Sequence, residues 1–235
     1  MRRTVAALTA VALAVAVQGC DWPLDADGTL AGVRAGVLRV GVTASPPWVS
    51  LSDDSVDGAE ARLVERLADG LGARVEWVRG GESELMEALR ERVLDLVVGG
   101  LDAEAPWTRE ASLTRPYVRM RTVVAVPDGV PVPADLDGVP VAVEAGTAAE
   151  AALADEGARP VPVPEVTGRE RTPVVVPEWQ VRPLGLRPTG TDLARHDHVW
   201  AVPLGENGWQ VEVERFLLDL SHDEVARLLA EESAR

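Results

Sequence analysis

The sequence predicts an α/β protein built from two lobes, each a mainly parallel β-sheet flanked by helices. Two observations predict this class. Apolar runs of strand length alternate with segments whose apolar residues recur at helical spacing, and this alternation occurs in two successive units. The similar segments Ala125–Pro127 and Ala201–Pro203 leave the first unit and return to it, which suits two strands that cross between lobes.

The first unit has the order β-α-β-α-β, which implies parallel strands joined by right-handed crossovers. Its strands are predicted at Val37–Thr43, Arg74–Val78 and Leu94–Gly99. Ser83 is predicted to cap the second helix. In open sheets of this kind a ligand lies beyond the carboxyl ends of the strands, which here are residues 43–48 and 99–102.

The second unit is smaller and is followed by two C-terminal helices. Its strands are predicted at Val139–Glu144, Arg159–Val163 and Pro173–Val176, with a helix opened by Gly146-Thr147. Ser221-His222-Asp223-Glu224 is a capping box for the last helix. The chain is therefore divided into a signal peptide (1–19), a tether (20–35), a first lobe (36–126 plus 201–235) and a second lobe (127–200).

The first 20 residues have the pattern of an export signal. Arg2-Arg3 precede an apolar run from Val5 to Val17, which is shorter than the roughly 20 residues that span a bilayer, so a permanent membrane helix is the weaker alternative. Cys20 is the only cysteine, which excludes an internal disulfide. Its place after Gly19 resembles a bacterial lipobox and implies lipidation of the Cys20 thiol. Gln18 is unusual in that motif, and plain secretion is the alternative.

The charge of the chain excludes nucleic-acid binding. Of the 23 basic residues, removal of Arg2 and Arg3 with the signal leaves 21 against 38 acidic residues, a net charge of −17. A chain with this charge repels nucleic acid and anionic lipid headgroups. We therefore expect a small-molecule partner.

Several segments together resemble a known family. They are Leu38-Arg39-Val40-Gly41-Val42, Pro46-Pro47-Trp48, Leu94-Asp95-Leu96-Val97, Thr114-Arg115-Pro116-Tyr117 and Val141-Ala142-Val143-Glu144-Ala145-Gly146-Thr147. Their order and spacing resemble extracellular solute-binding proteins of family 3, two-lobed receptors that feed ABC importers, many of them for polar amino acids. The resemblance covers residues 36–155 well and the remainder loosely.

The resemblance implies a two-lobed periplasmic-binding-protein-like fold of type II, whose lobes are joined by two hinge strands. It also implies capture of a small polar solute without covalent change, and hinge closure at 124–127 and 200–203. The expected partner is an ABC transporter permease, and the expected location is extracytoplasmic, on the membrane through the lipid on Cys20. We expect a monomer with no cofactor.

Four candidate ligand-binding residues follow the strand ends of the first lobe. Trp48 is placed where the family commonly has an aromatic side chain that stacks on the ligand, and a hydrophobic plug is the alternative. Gly100 and Leu101 are predicted to offer backbone groups, because glycine allows close approach. Asp102 would favour a cationic or amino-bearing ligand, and a helix-capping role is the alternative.

Arg109 is a fifth candidate in the first lobe. In amino-acid-binding members an Arg before the Thr114–Tyr117 element pairs with the ligand carboxylate. The spacing from Arg109 to this element is short by about two residues, which puts Trp107 nearer the family's Arg position. This departure weakens the prediction of an α-amino acid, and a solvated Arg is the alternative.

Three candidates lie in the second lobe. Gly146 and Thr147 open a helix whose free amides and dipole suit an anionic group, although ordinary capping by Thr147 is compatible with the same pattern. Glu178 stands at a strand end where the resemblance places an Asp that binds a ligand amino group, or it simply begins a helix.

No metal site is predicted. His196 and His198 flank Asp197 and are expected in a surface turn, because their spacing is too sparse for zinc. An enzyme on the same scaffold is the alternative function, since some relatives of this fold are dehydratases acting on small carboxylic acids. Glu144 or Glu178 would then supply the acid. A sensory lobe is a third possibility.

Overall fold

The computed structural model describes residues 24–235, and the predicted signal peptide and Cys20 lie outside the described residues. No helix within 24–235 is both long and apolar enough to cross a membrane. In chain order the elements are α1 (Thr29–Val33), β1 (Val37–Val42), β2 (Ser50–Leu51), β3 (Val56–Asp57), α2 (Ala59–Leu71), β4 (Arg74–Arg79), α3 (Glu82–Arg90), β5 (Leu96–Val98), β6 (Ser112–Leu113), β7 (Val118–Val126), β8 (Pro140–Glu144), α4 (Ala148–Asp155), β9 (Arg159–Val163), β10 (Val174–Pro177), α5 (Glu178–Val181), β11 (Arg187–His198), β12 (Ala201–Val202), α6 (Asn207–Leu218) and α7 (His222–Ser233).

The first sheet has the strand order β4-β1-β5-β12-β6. Strands β4, β1 and β5 are parallel, as the β-α-β-α-β pattern predicts, and β12 runs antiparallel to both of its neighbours, β5 and β6. Helices cover both faces. The apolar stripes of α2, α6 and α7 pack on one face in a core that includes Leu38, Leu63, Trp209 and Leu229. On the other face α3 buries Met86. Burial of apolar side chains on both faces explains why these strands are almost continuously apolar.

The second sheet has the strand order β11-β7-β10-β8-β9. Strands β10, β8 and β9 are parallel, whereas β7 and β11 run antiparallel to their neighbours. On one face Leu153 of α4 packs against Val141 and Val143. The opposite face is covered by Val166 and Leu186. This lobe therefore has a thinner core than the first, as the short second unit of the sequence predicts.

The two crossing strands differ from the sequence prediction in position and length. Val118 and Met120, at the start of β7, pack in the core of the first lobe, whereas Thr122–Ala125 pair with β10 in the second sheet. The predicted crossings at 124–127 and 200–203 are therefore displaced. The passage between the sheets lies earlier in β7, opposite the end of β11, where Arg119 pairs directly with Asp197.

Most of the predicted elements are present, and one cap is not. Ser221 caps α7 as expected, since its Oγ accepts a hydrogen bond from the Glu224 amide at 3.2 Å. Ser83 does not cap α3, because that helix begins at Glu82 with Gly81 as its N-cap. Strand β11 was not predicted, and it contains the two histidines that the sequence assigns to a surface turn.

A buried carboxylate joins the two crossing strands to the rest of the first lobe. The Oε2 atom of Glu60, in the first turn of α2, accepts hydrogen bonds from the amides of Gly99 at 2.8 Å and Gly100 at 2.7 Å. Its Oε1 atom accepts from the Tyr117 hydroxyl at 2.8 Å and the Trp200 indole at 3.0 Å. Tyr117 directly precedes β7, and Trp200 lies between β11 and β12. Burial raises the pKa of Glu60, and the four donors oppose that rise because they favour the charged form.

We expect Glu60→Gln to lower the free energy of unfolding by about 2–4 kcal/mol. The amide nitrogen of Gln would face donors that the carboxylate now satisfies, and buried unpaired donors are costly. Urea unfolding of the purified protein measures the change. Glu65→Gln, on the exposed side of the same helix, is the control and should leave the unfolding free energy nearly unchanged. An equal effect of the two substitutions would contradict the assigned role of Glu60.

Candidate functional site

A cleft of about 530 Å³ lies where the two lobes meet the crossing strands. We call it the inter-lobe cleft. The first lobe contributes the segment 46–48, Ser50 and the end of α7. The crossing strands contribute residues 120–122 together with His196 and His198. The second lobe contributes Glu144, Glu165, Val166, Val175, Pro177, Trp179 and Gln180. A larger groove of about 990 Å³ runs between α5 and α7, but it is bounded by helix faces rather than by the carboxyl ends of strands.

The first-lobe wall of the cleft is a stack of two rings on a glycine backbone. Trp48 is 9% exposed, and its ring centroid lies 3.9 Å from that of His198 with the planes tilted by 34°. Gly100 lies beneath Trp48 with φ of 69°, and a Cβ atom there would come within 2.8 Å of the indole. Glycine is therefore required at position 100 both by its left-handed conformation and by the close ring.

The structure uses the polar groups of the Gly100–Asp102 loop internally. The Gly100 amide binds Glu60, and the Leu101 carbonyl accepts a hydrogen bond from the Val199 amide at 3.0 Å. Asp102 binds the Glu104 amide through Oδ1 at 2.8 Å and His196 Nδ1 through Oδ2 at 2.9 Å. None of these three loop residues lines the cleft, and Asp102 reaches it only through His196.

Among the described residues of the first lobe, no arginine lines the cleft as the resemblance predicts for an Arg that binds a solute carboxylate. Arg109 is exposed, does not line the cleft and makes no ion pair with any residue between 24 and 235. Trp107 packs instead against the α3 side of the first lobe, and its indole N–H donates to Glu82. The structure thus places neither residue where it would bind a solute carboxylate.

Glu178 is part of an ion cluster beside the cleft. Its side chain accepts hydrogen bonds from the Arg121 backbone amide at 2.9 Å and from Arg121 Nε at 2.7 Å. It also lies 3.2 Å from His222 Nε2 on α7. Arg121 bonds in addition to Asp192 at 3.4 Å. Glu178 is therefore neutralised by Arg121 and joins the second lobe to the first.

The start of α4 is exposed and acidic. Thr147 is the N-cap residue, and its hydroxyl donates to the Glu144 carbonyl at 2.8 Å. The Gly146 amide donates to the Glu150 carboxylate at 3.3 Å. Because two glutamates flank this helix end, its field is less suited to an anionic group than the sequence alone suggests.

The sequence analysis did not predict Glu144, Glu165, His196 or His198 as solute-binding residues, and it named Glu144 only as a possible acid of the alternative enzyme. Glu144 ends β8 and Glu165 follows β9, its parallel neighbour, so both carboxylates lie beyond adjacent strand ends. His196 and His198 are two residues apart in β11 and both line the cleft. Period-2 spacing places such residues on one face of a strand, which was the only sequence signal for the histidine pair.

His198 is held uncharged at neutral pH. It is 7% exposed, and its Nδ1 atom is buried without a hydrogen-bond partner among the described residues. Burial lowers the pKa of His198 to about 4, against smaller opposing effects of the Gly100 backbone and the Asp102 charge. The cleft wall therefore presents a neutral imidazole.

We expect acid to destabilise the fold through His198. The folded state binds the His198 proton more weakly than the unfolded chain does, so the stability that is present above pH 6.5 is lost as the pH falls towards 4. Between pH 7 and pH 4 the loss attributable to His198 is about 3 kcal/mol. Urea unfolding of the wild type and of His198→Phe, which keeps a ring beside Trp48, measures it as the difference between their pH profiles. Parallel profiles would show that His198 does not titrate in this way.

Comparison with known proteins shows a family match and several similar solved structures. Residues 38–231 match the family described as bacterial extracellular solute-binding proteins, family 3. Among solved structures, the L-cystine solute receptor of Neisseria gonorrhoeae in an unliganded open conformation is similar with a TM-score of 0.67 and 17% identity, over 87% of this chain and 95% of that one. An ancestral cationic amino-acid solute-binding protein is similar with a TM-score of 0.64 and 20% identity, over 87% of this chain and 98% of that one.

A curated relative is similar over a shorter stretch. Membrane-bound lytic murein transglycosylase F of Cronobacter sakazakii is 35% identical over 99 residues, which are 41% of this chain and 18% of that protein. The match thus spans less than a fifth of the relative's length. The family match covers most of this chain, and the solved structures agree with the two-lobed α/β fold of type II. The chain belongs to the bacterial extracellular solute-binding proteins, family 3.

Proposed function

We propose that the protein captures a small polar solute in the inter-lobe cleft and presents it to an ABC transporter permease. The observation that carries this proposal is a cleft lined from both lobes and bordered by two crossing strands. Strand ends from both sheets meet there, which is the usual position of a ligand in open α/β sheets. The Trp48 and His198 rings supply one wall, and Glu144 and Glu165 supply the opposite wall.

Closure of the lobes about β7 and β11 would complete the site. Solute shifts the lobes towards the closed state only to the extent that it contacts both walls better there than when the lobes are apart. The backbone ladder between β7 and β11 keeps the two strands together as the lobes move, and the exposed pair of Arg119 Nε with Asp197 Oδ1, at 2.5 Å, spans the same two strands. The contact between Glu178 and His222 also joins the lobes, so the distance between these two side chains would change when the lobes close.

The delivery step requires the protein to be held close to the membrane. We propose that this is achieved by lipidation of Cys20, with residues 20–35 as the tether, on the outer side of the cytoplasmic membrane or in the periplasm. A monomer suffices, because both walls of the cleft come from one chain. Of the proposed ligand-binding residues, Trp48 lines the cleft, whereas Glu178 acts beside it through Arg121.

Solute capture is tested by a thermal-shift screen of the purified protein against amino acids, small organic acids and small organic amines. A solute that raises the melting temperature should be recovered chemically unchanged. Ser50→Trp should weaken its binding at least tenfold, because the indole would fill the cleft beside Trp48. Asp54→Trp places the same bulk on the exposed side of the same hairpin and should bind as the wild type does. Equal binding by both variants would move the site elsewhere.

Membrane anchoring is tested by Cys20→Ala in the full chain. The thiol is the only group in the chain that a lipidating enzyme of this kind could acylate, since Cys20 is the single cysteine. We expect the wild type in the membrane fraction and the variant in the soluble extracytoplasmic fraction or retained with its signal uncleaved. Labelling with a radioactive fatty acid shows directly which protein carries lipid, and we expect label on the wild type and none on Cys20→Ala. Wild-type protein that is free of label would favour plain secretion.

One observation favours an enzyme as the second candidate. The Asp102 carboxylate bonds to Nδ1 of His196, and the imidazole lines the cleft. A carboxylate that orients an imidazole is the usual arrangement of a general base. The same screen separates the candidates, because mass spectrometry of the recovered solute would show a product that disappears in His196→Gln.

A further inference from the structure

We infer that the solute of the inter-lobe cleft is an organic cation that carries amine or guanidinium groups and no carboxylate. This inference rests on the proposed function and specifies its ligand. Its basis is the balance of charges that remain after every ion pair of the described cleft residues has been counted.

The cleft has two carboxylates without a charged partner. Glu144 and Glu165 are exposed, and neither side chain makes an ion pair or hydrogen bond within residues 24–235. They follow adjacent parallel strands, so they lie on the same wall. Two carboxylates on one wall repel each other, and a cation bound on that wall relieves the repulsion.

The one arginine among the described lining residues is already neutralised, and the His196 imidazole is already engaged by a carboxylate. Arg121 bonds to Glu178 and Asp192, and His196 bonds to Asp102. The remaining candidate for a cation, Arg109, does not line the cleft. A solute carboxylate would therefore meet no free cation among the described lining residues, and it would meet the repulsion of Glu144 and Glu165.

The opposite wall suits an N–H donor with a positive charge. Trp48 offers part of an aromatic face, and aromatic rings attract cations at close range. His198 is uncharged, nine-tenths buried and has an unpartnered Nδ1 atom, so it does not repel a cation and retains an unused polar atom. Independently of the acidic wall, this wall therefore adds no positive charge that would oppose a cation.

The test compares pairs of solutes that differ only in the carboxylate. Isothermal titration of the purified protein with agmatine and arginine, and with cadaverine and lysine, should show at least about tenfold tighter binding of the decarboxylated member of each pair. Glu144→Gln and Glu165→Gln should each weaken binding of that amine by about tenfold, or 1.4 kcal/mol. Glu156→Gln, an exposed carboxylate at the far end of α4, is the control and should change binding less than twofold.

The outcomes separate this inference from the proposed function. Tighter binding of arginine or lysine than of agmatine or cadaverine, or binding that is indifferent to Glu144→Gln and Glu165→Gln, would overturn the inferred ligand class and leave solute capture standing. A neutral or anionic solute found in the wider screen would do the same. If no solute of any class binds, or if Ser50→Trp leaves the binding of a solute unchanged, the proposed function itself fails.

Discussion

The carboxylate of Glu60 holds in place the parts of the first lobe from which the cleft is built. Its four donors come from the loop after β5, from Tyr117 before β7 and from Trp200 after β11. Because the Gly100 amide is fixed in this way, the Gly100 backbone can support the Trp48 ring, and Trp48 in turn packs on His198. One buried carboxyl group thus sets both the wall of the cleft and the position of the strands that leave the lobe. Its desolvation is offset only while all four donors remain.

The sequence was a good guide to the elements that bury an apolar face. Strands β1, β4 and β8 were predicted within one residue of their observed bounds, because apolar periodicity directly reports burial. The crossing strands were less predictable. The exposed parts of β7 and β11 alternate arginine and aspartate with other residues, and their regularity comes from pairs such as Arg119 with Asp197, which are 78 positions apart. No local pattern encodes such a pairing, so this part of β11 resembled a surface turn.

The candidate site illustrates the same limit. A motif predicted Trp48, and the structure places it in the cleft lining. Residue type predicted Arg109 and Glu178, but Arg109 does not line the cleft, and the availability of Glu178 depends on a partner elsewhere in the chain. Glu178 is occupied by Arg121, 57 positions away, and Asp102 is occupied by His196, 94 positions away. Conversely, no sequence pattern marks Glu144 and Glu165 as solute-binding residues, and they become candidates for that role because nothing in the described structure pairs with them.

The charge that a cleft offers to a solute is thus what remains after internal pairing, rather than the sum of the residues that line it. Here Arg121 is not available although it lines the cleft, because Glu178 and Asp192 neutralise it and fix its orientation. A solute carboxylate could engage Arg121 only by displacing Glu178, which also contacts His222 on the other lobe. That exchange would leave the largely buried Glu178 carboxylate without its cation. The new contact between the solute carboxylate and Arg121 would not offset this cost. Binding of a cation at Glu144 and Glu165 disturbs none of these pairs. We therefore infer the ligand class from the ion pairs that surround the cleft.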